Sequence, residues 1–142
     1  MIGNKIHDFA RELWSINRSL TGKGVRKTLK KISKHLPALK IKSVPSQTKV
    51  FDWIVPKEWE VKEAYIISPS GQKICDFLDN NLHLLGYSTP FKGKVTLDEL
   101  KEHLYTLPDQ PDAIPYNTSY YQERWGFCLT QKQFDSLEEG LY

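Results

Sequence analysis

The side chains best suited to metal binding or nucleophilic chemistry are His7, His35, His83, His103, Cys75 and Cys128. A zinc site needs three or four such ligands brought together, and its sequence signals are spacings such as Cys-x-x-Cys, His-x-x-x-His or His-Glu-x-x-His. None of these spacings occurs here, so the sequence assigns no metal ligand. There is also no Gly-x-Ser-x-Gly elbow, no phosphate-cradling Gly-x-x-x-x-Gly-Lys-Ser and no dinucleotide fingerprint, and no catalytic residue is assigned. Thr21-Gly22-Lys23-Gly24 places glycine and lysine before a helix, as an anion site would. The rest of that motif is missing, and the segment reads as a helix start with a flexible lead-in. Cys75 and Cys128 both sit in apolar runs and read as buried, reduced thiols.

Tyr116, Thr118, Tyr120, Tyr121 and Trp125 form the densest polar-aromatic cluster. Tyrosine and tryptophan combine an apolar face with a hydrogen-bonding tip, which suits a ligand pocket or a domain interface. Packing of a β-rich unit against a helical part is the preferred reading, because aromatic clusters at strand starts are usually structural.

Charge is unevenly spread. Residues 1–49 hold twelve Lys or Arg against Asp8 and Glu12, a net of +10, whereas residues 50–142 carry a net of −7. Six of the cations, Lys23, Arg26, Lys27, Lys30, Lys31 and Lys34, fall in one helical stretch. They could neutralise phosphates. They wrap the helix without interleaved aromatics for base stacking, so a solvated face is expected and nucleic acid is not the expected partner. Apolar runs such as Ala64 to Ile67 are too short to span a bilayer. The first residues lack the apolar core of a signal peptide. A cytoplasmic location without a membrane partner is the expectation.

These residues must be positioned by mixed elements. Ile6, Phe9, Ala10, Leu13 and Trp14 share one face of a predicted first helix, with Asn4 as its cap. Val25, Leu29, Ile32 and Leu36 make the buried stripe of a second helix, stopped by Pro37. Strands are expected at Leu39 to Val44, Val50 to Val55, Leu82 to Tyr87 and Trp125 to Leu129. A hairpin is expected where Ser68-Pro69-Ser70-Gly71 joins Ala64–Ile67 to Gln72–Phe77. Thr96–Glu99 and Thr130–Gln133 are capping boxes. The first opens a helix running through Leu100 and Leu104, and the second opens one ending at Gly140. The order argues for an α+β protein: an N-terminal helical hairpin plus a β-rich domain.

Several runs, taken in order, carry a resemblance. They are Arg18-Ser19-Leu20-Thr21-Gly22, Val50-Phe51-Asp52-Trp53 with Val55-Pro56-Lys57-Glu58-Trp59, and Asn81-Leu82-His83 with Tyr87-Ser88-Thr89-Pro90. Gly24-Val25-Arg26 with Thr28-Leu29, Leu107-Pro108-Asp109-Gln110-Pro111-Asp112, Ile114-Pro115-Tyr116 with Thr118-Ser119-Tyr120-Tyr121, and Trp125-Gly126-Phe127-Cys128-Leu129 complete the set. Together they resemble bacterial aminopeptidase-like proteins of the zinc exopeptidase superfamily, which carry an inserted β-rich domain of unknown function and are often linked to polysaccharide biosynthesis.

The resemblance implies three parts. Residues 1–44 would be the helical start of a peptidase-like α/β domain, 45–128 the inserted β-rich domain, and 129–142 an incomplete return to the peptidase-like domain. In the resembled family, zinc ligands lie beyond this point, in a His-Cys-His-Pro-like segment that has no counterpart here. The expectation is therefore a truncated, non-catalytic N-terminal region with no cofactor of its own, zinc belonging to the full-length family. Its expected partner is the missing C-terminal peptidase portion, and the isolated chain is expected to be marginally stable. Arg18, Tyr116, Thr118, Tyr120, Tyr121 and Trp125 are the candidate substrate- or domain-contact residues. The alternative is a stand-alone binding module for an acidic partner or a carbohydrate precursor.

Overall fold

The computed structural model describes residues 1–120 and 122–142. Among the described residues it is a mixed α+β structure with three two-stranded sheets, and it divides into two compact units, Met1–Glu60 and Val61–Tyr142. Among the described residues, no helix is long and apolar enough to cross a membrane.

The first unit opens with α1, Ile2–Trp14, and α2, Lys23–Ser33. α1 begins before Asn4, with Met1 at the cap position and no side-chain cap bond, so Asn4 is an interior residue rather than the cap. Neither helix buries a residue completely. Phe9 meets His35 edge-on at 4.6 Å between ring centroids, and Glu12 pairs with Lys31.

The Gly-Lys-Gly run before α2 has a steric explanation. A Cβ on Gly24 would lie 1.8 Å from the Asn17 carbonyl oxygen, so only glycine permits this approach. α2 then ties its cations to its own unit. Lys23 reaches Glu60 at 2.7 Å, and Arg26 grips both carboxylate oxygens of Glu58.

Leu39, Ile41 and Val44 form no strand; they are exposed, and their backbone has no ladder partner among the described residues. The run Val50 to Val55 is not one strand either. Phe51 adopts a left-handed φ of 54°, which folds the run into a hairpin of β1, Lys49–Val50, and β2, Trp53–Ile54. Val50 faces Trp53 across it.

In the second unit the expected hairpin is present, as β3, Ile66–Ile67, antiparallel to β4, Lys73–Ile74. Its turn closes through Ser68 N–H to the Gln72 carbonyl and Gly71 N–H to the Ser68 carbonyl, both at 2.8 Å. The stretch expected as a strand at Leu82 begins instead as a 3-10 helix, Asn81–His83. The Asn80 side chain accepts the Leu82 N–H at 3.0 Å, a local bond that competes with β pairing. Only beyond it do Leu84 and Gly86 make single bridges, to Phe127 and Thr118.

Both capping boxes form, at α3, Leu97–Lys101, and α4, Gln131–Asp135. α3 is shorter than expected. Leu104–Tyr105 leaves the helix as β5 and lies parallel to β6, Phe127–Cys128, with Leu104 opposite Phe127. α4 likewise stops at Asp135, with Ser136 as its C-cap, well before Gly140.

The core of this unit gathers Ile66, Cys75, Leu100, Phe127 and Leu129, with Leu104, Trp125, Phe134 and Tyr142 packed around them. Cys75 and Cys128 are buried and unbridged, as expected. Burial pushes their thiols up to about 12 and about 11, respectively.

Candidate functional site

The residues expected to make contacts are placed very differently from one another. Gly86 is the hub for part of the cluster. Its carbonyl accepts from the Ser119 N–H at 2.8 Å, the Ser119 hydroxyl at 3.2 Å and the Thr118 hydroxyl at 3.3 Å, while its N–H donates to the Asn117 carbonyl at 3.0 Å. Ser119 is fully buried by this strap. Thr118 therefore spends its side chain on the backbone, and its carbonyl accepts from Arg124 Nη2 at 3.3 Å. Tyr120 packs against Tyr87, with ring centroids 5.0 Å apart.

Trp125 anchors an aromatic layer. Phe91 stacks on it at 4.3 Å with 8° between planes, and His103 at 3.7 Å with 15°. The Arg124 guanidinium lies 5.5 Å from the centroid of the Tyr105 ring, a cation-π contact on the same strand approach. Thr118, Tyr120 and Trp125 thus lie in neighbouring hydrogen-bonded and stacked groups of the second unit.

Two candidates stand apart. Tyr116 is 80% exposed, and Arg18 belongs to the other unit, where its Nη1 donates to the Leu13 carbonyl at 2.5 Å. Tyr121 lies outside the described residues. Phe91 and Arg124, which complete the aromatic region, carry no sequence signal, because their partners are distant in sequence and no motif links them.

The histidines of this unit are committed to the backbone. His83 is buried with Nδ1 2.8 Å from the Cys128 carbonyl, and His103 Nδ1 is 3.0 Å from the Trp125 carbonyl. A carbonyl oxygen only accepts, so each Nδ1 carries the proton. Among the described residues, no three His, Cys, Asp or Glu stand together as a metal site. With His83 and His103 bonded to backbone carbonyls and both cysteines buried in the core, the described residues of this unit do not fit a zinc centre.

The buried carboxylate Asp76 serves a turn. It accepts the Leu78 N–H at 2.9 Å and pairs with Lys73 at 3.1 Å, and these two partners hold its carboxyl below the ordinary range. A cavity of about 160 Å³ opens between the β3–β4 turn and α4, lined by Ser68, Ser70, Gln133 and Glu138 over Ile74 and Leu137. Ligand pockets typically run to about 300–1,000 Å³, so it holds only a small group. It includes none of the candidate contact residues.

A family model described as a domain of unknown function, DUF2172, matches residues 58–142. Over 140 residues the chain is 55% identical to a Clostridium acetobutylicum protein described as a candidate polysaccharide biosynthesis protein with an aminopeptidase-like domain. That match covers 99% of this chain and 32% of the relative. A crystal structure of a candidate peptidase from Clostridium acetobutylicum has a TM-score of 0.94 and 53% identity, over 99% of this chain and 33% of that one. The chain spans about a third of the length of these relatives. It belongs to the DUF2172 domain family.

Proposed function

We propose that this chain serves as the non-catalytic N-terminal region of a zinc-dependent aminopeptidase-like protein, combining a helical lead-in with a β-rich inserted domain. One observation carries the reading: at 55% identity, 99% of the chain maps onto only 32% of a relative described as aminopeptidase-like. The Thr118 and Ser119 hydroxyls and His103 Nδ1 are spent on internal bonds to the backbone, which supports a scaffolding role over one in turnover. The metal and the hydrolytic groups would come from the remaining portion, held either in the same polypeptide or in a partner.

The competing reading, a stand-alone module for an acidic partner or carbohydrate precursor, draws on the basic helix α2. Three of that helix's cations, Lys23, Arg26 and Lys31, are already paired with Glu60, Glu58 and Glu12. This weakens α2 as a free anion-binding face.

Purified chain incubated with zinc and an aminoacyl chromogenic substrate should show no turnover above buffer, and no zinc should survive desalting. Stoichiometric zinc held by three or more of the chain's own side chains would falsify the reading.

A further inference from the structure

We propose that the apolar stripe of α1 is the seat on which the aminopeptidase-like remainder of the protein docks, an inference that rests on the reading above. Ile2, Ile6, Phe9 and Leu13 follow one another at spacings of four, three and four, so they form a single seam along the helix, with Trp14 at its edge. A seam of this kind forms where a second surface covers it. Here Ile2 is 79% exposed, Ile6 65% and Trp14 67%, and Phe9 and Leu13 are only half-buried. The polar side of the same helix, Lys5, Asp8, Arg11 and Glu12, already provides for solvent. Phe9 already meets His35 of the same unit, so it is the outward part of the stripe, Ile2, Ile6 and Trp14, that answers to a partner.

The same unit holds a second apolar group outward at a conformational cost. Phe51 is 92% exposed at the tip of the β1–β2 hairpin, with a φ of 54°. In a left-handed residue other than glycine the Cβ crowds the following carbonyl oxygen, and asparagine or glycine would make the turn more easily. A phenylalanine there is explained by contact with something outside the unit.

Two arguments select the remainder over a second copy of the chain. A 13-residue helix is about 20 Å long, and one face of it offers roughly 200 Å². A stable dimer needs roughly 800 Å² from each partner, whereas a linked segment docks at a high effective concentration and needs far less. Residues 1–60 also hold thirteen Lys and Arg against five Asp and Glu, a net of +8, so a contact of this unit with its own copy sets like charge against like charge. The relatives supply the occupant: their matched part has this same fold, at a TM-score of 0.94, within a chain of which it is 33%.

The test is a chimera in which the 142 residues replace the matched third of the Clostridium acetobutylicum relative, compared with the 142-residue chain alone. The chimera should melt as one unit, and amide exchange across α1 should be at least about tenfold slower in it than in the isolated chain. Ile6→Glu should lower the chimera's Tm while leaving the isolated chain's melt and helicity unchanged, and Ile6→Leu should restore the chimera. A chimera that is insoluble, or that melts in two independent steps, overturns the parent reading. A single melt with α1 exchanging as fast as in the isolated chain overturns the docking surface alone, whether or not the glutamate variant folds. A dimer of the isolated chain abolished by Ile6→Glu assigns the stripe to a second copy and also overturns it.

Discussion

His103 and Trp125 are joined twice: their rings stack at 3.7 Å between centroids, and His103 Nδ1 lies 3.0 Å from the Trp125 carbonyl. The ring contact and the backbone contact fix the same pair from two directions, so Trp125 arrives at β6 with its orientation set. Phe91 covers it at 4.3 Å, and the indole packs onto the core around Phe127 and Leu129. Trp125→Ala should therefore lower the unfolding free energy by about 3 kcal/mol, toward the low end for a large aromatic because the ring is only half-buried. Trp125→Phe, which retains a stacking face, should recover a substantial part. Urea unfolding followed by far-UV circular dichroism reads both, and a variant as stable as the parent chain would show that the layer is surface decoration.

The neighbouring Gly126 is fixed by crowding. A Cβ there would sit 2.7 Å from the His103 carbonyl oxygen and 2.8 Å from Tyr105 Cε2, and that oxygen also accepts the Phe127 N–H at 2.8 Å. The backbone of β5 cannot retreat without losing the bond that begins the parallel ladder. Gly126→Ala should cost about 1–3 kcal/mol, the range for overpacking. The effect should appear in the same unfolding curves, together with faster amide exchange at Phe127.

These contacts mark the boundary of what could be read from sequence. Thr96–Glu99 and Thr130–Gln133 announce their helices because a capping box is local, and Ser68-Pro69-Ser70-Gly71 announces its turn for the same reason. β5 is only Leu104–Tyr105, too short for a periodic signal, and exists because Phe127 and Cys128 lie beside it. The Val50 to Val55 run has strand composition, yet Phe51 turns it back on itself, a choice that composition cannot reveal. Among the candidate contact residues, aromatic density led to Thr118, Tyr120 and Trp125, which do lie in neighbouring groups. It gave no hint that the Gly86 carbonyl gathers Thr118 and Ser119, since a carbonyl is present at every position.

The capping box of α3 yields a pH prediction. Thr96 N–H donates to Glu99 at 2.8 Å and its hydroxyl at 2.9 Å, and these bonds hold the Glu99 carboxyl below its ordinary value of 4.5. A depressed acid stabilises the fold above its unfolded value and loses that contribution as pH falls through its folded value. Tm should therefore fall on acidification below about pH 4.5, and Glu99→Gln should flatten that part of the profile. Thr96→Ala, which removes the cap oxygen, should cost about 1 kcal/mol at neutral pH. An unchanged acid limb in Glu99→Gln would assign the acid loss to other carboxylates, with Asp76 the next to substitute.

The two thiols provide a check on the core that needs no mutation. Only the thiolate attacks a disulfide reagent, and burial holds Cys75 at about 12 and Cys128 at about 11. Near pH 8 almost no thiolate exists in the folded chain, and both sulfurs are shielded from the reagent by side chains such as Ile66 and Phe127. A chromogenic aromatic disulfide should thus titrate neither thiol in native buffer and both after denaturation, with the rate in mild denaturant tracking opening of the core. The linkage sign gives a second readout. Raised thiol values stabilise the fold fully below the unfolded value near 9, and that contribution is lost as pH climbs through the folded values of about 11 and 12. Cys75→Ala should lessen this alkaline loss, whatever it does to stability at neutral pH. Prompt native labelling of Cys128 would mean that β6 opens without the rest of the unit, and the parallel pair would then have to be regarded as the weakest part of the core.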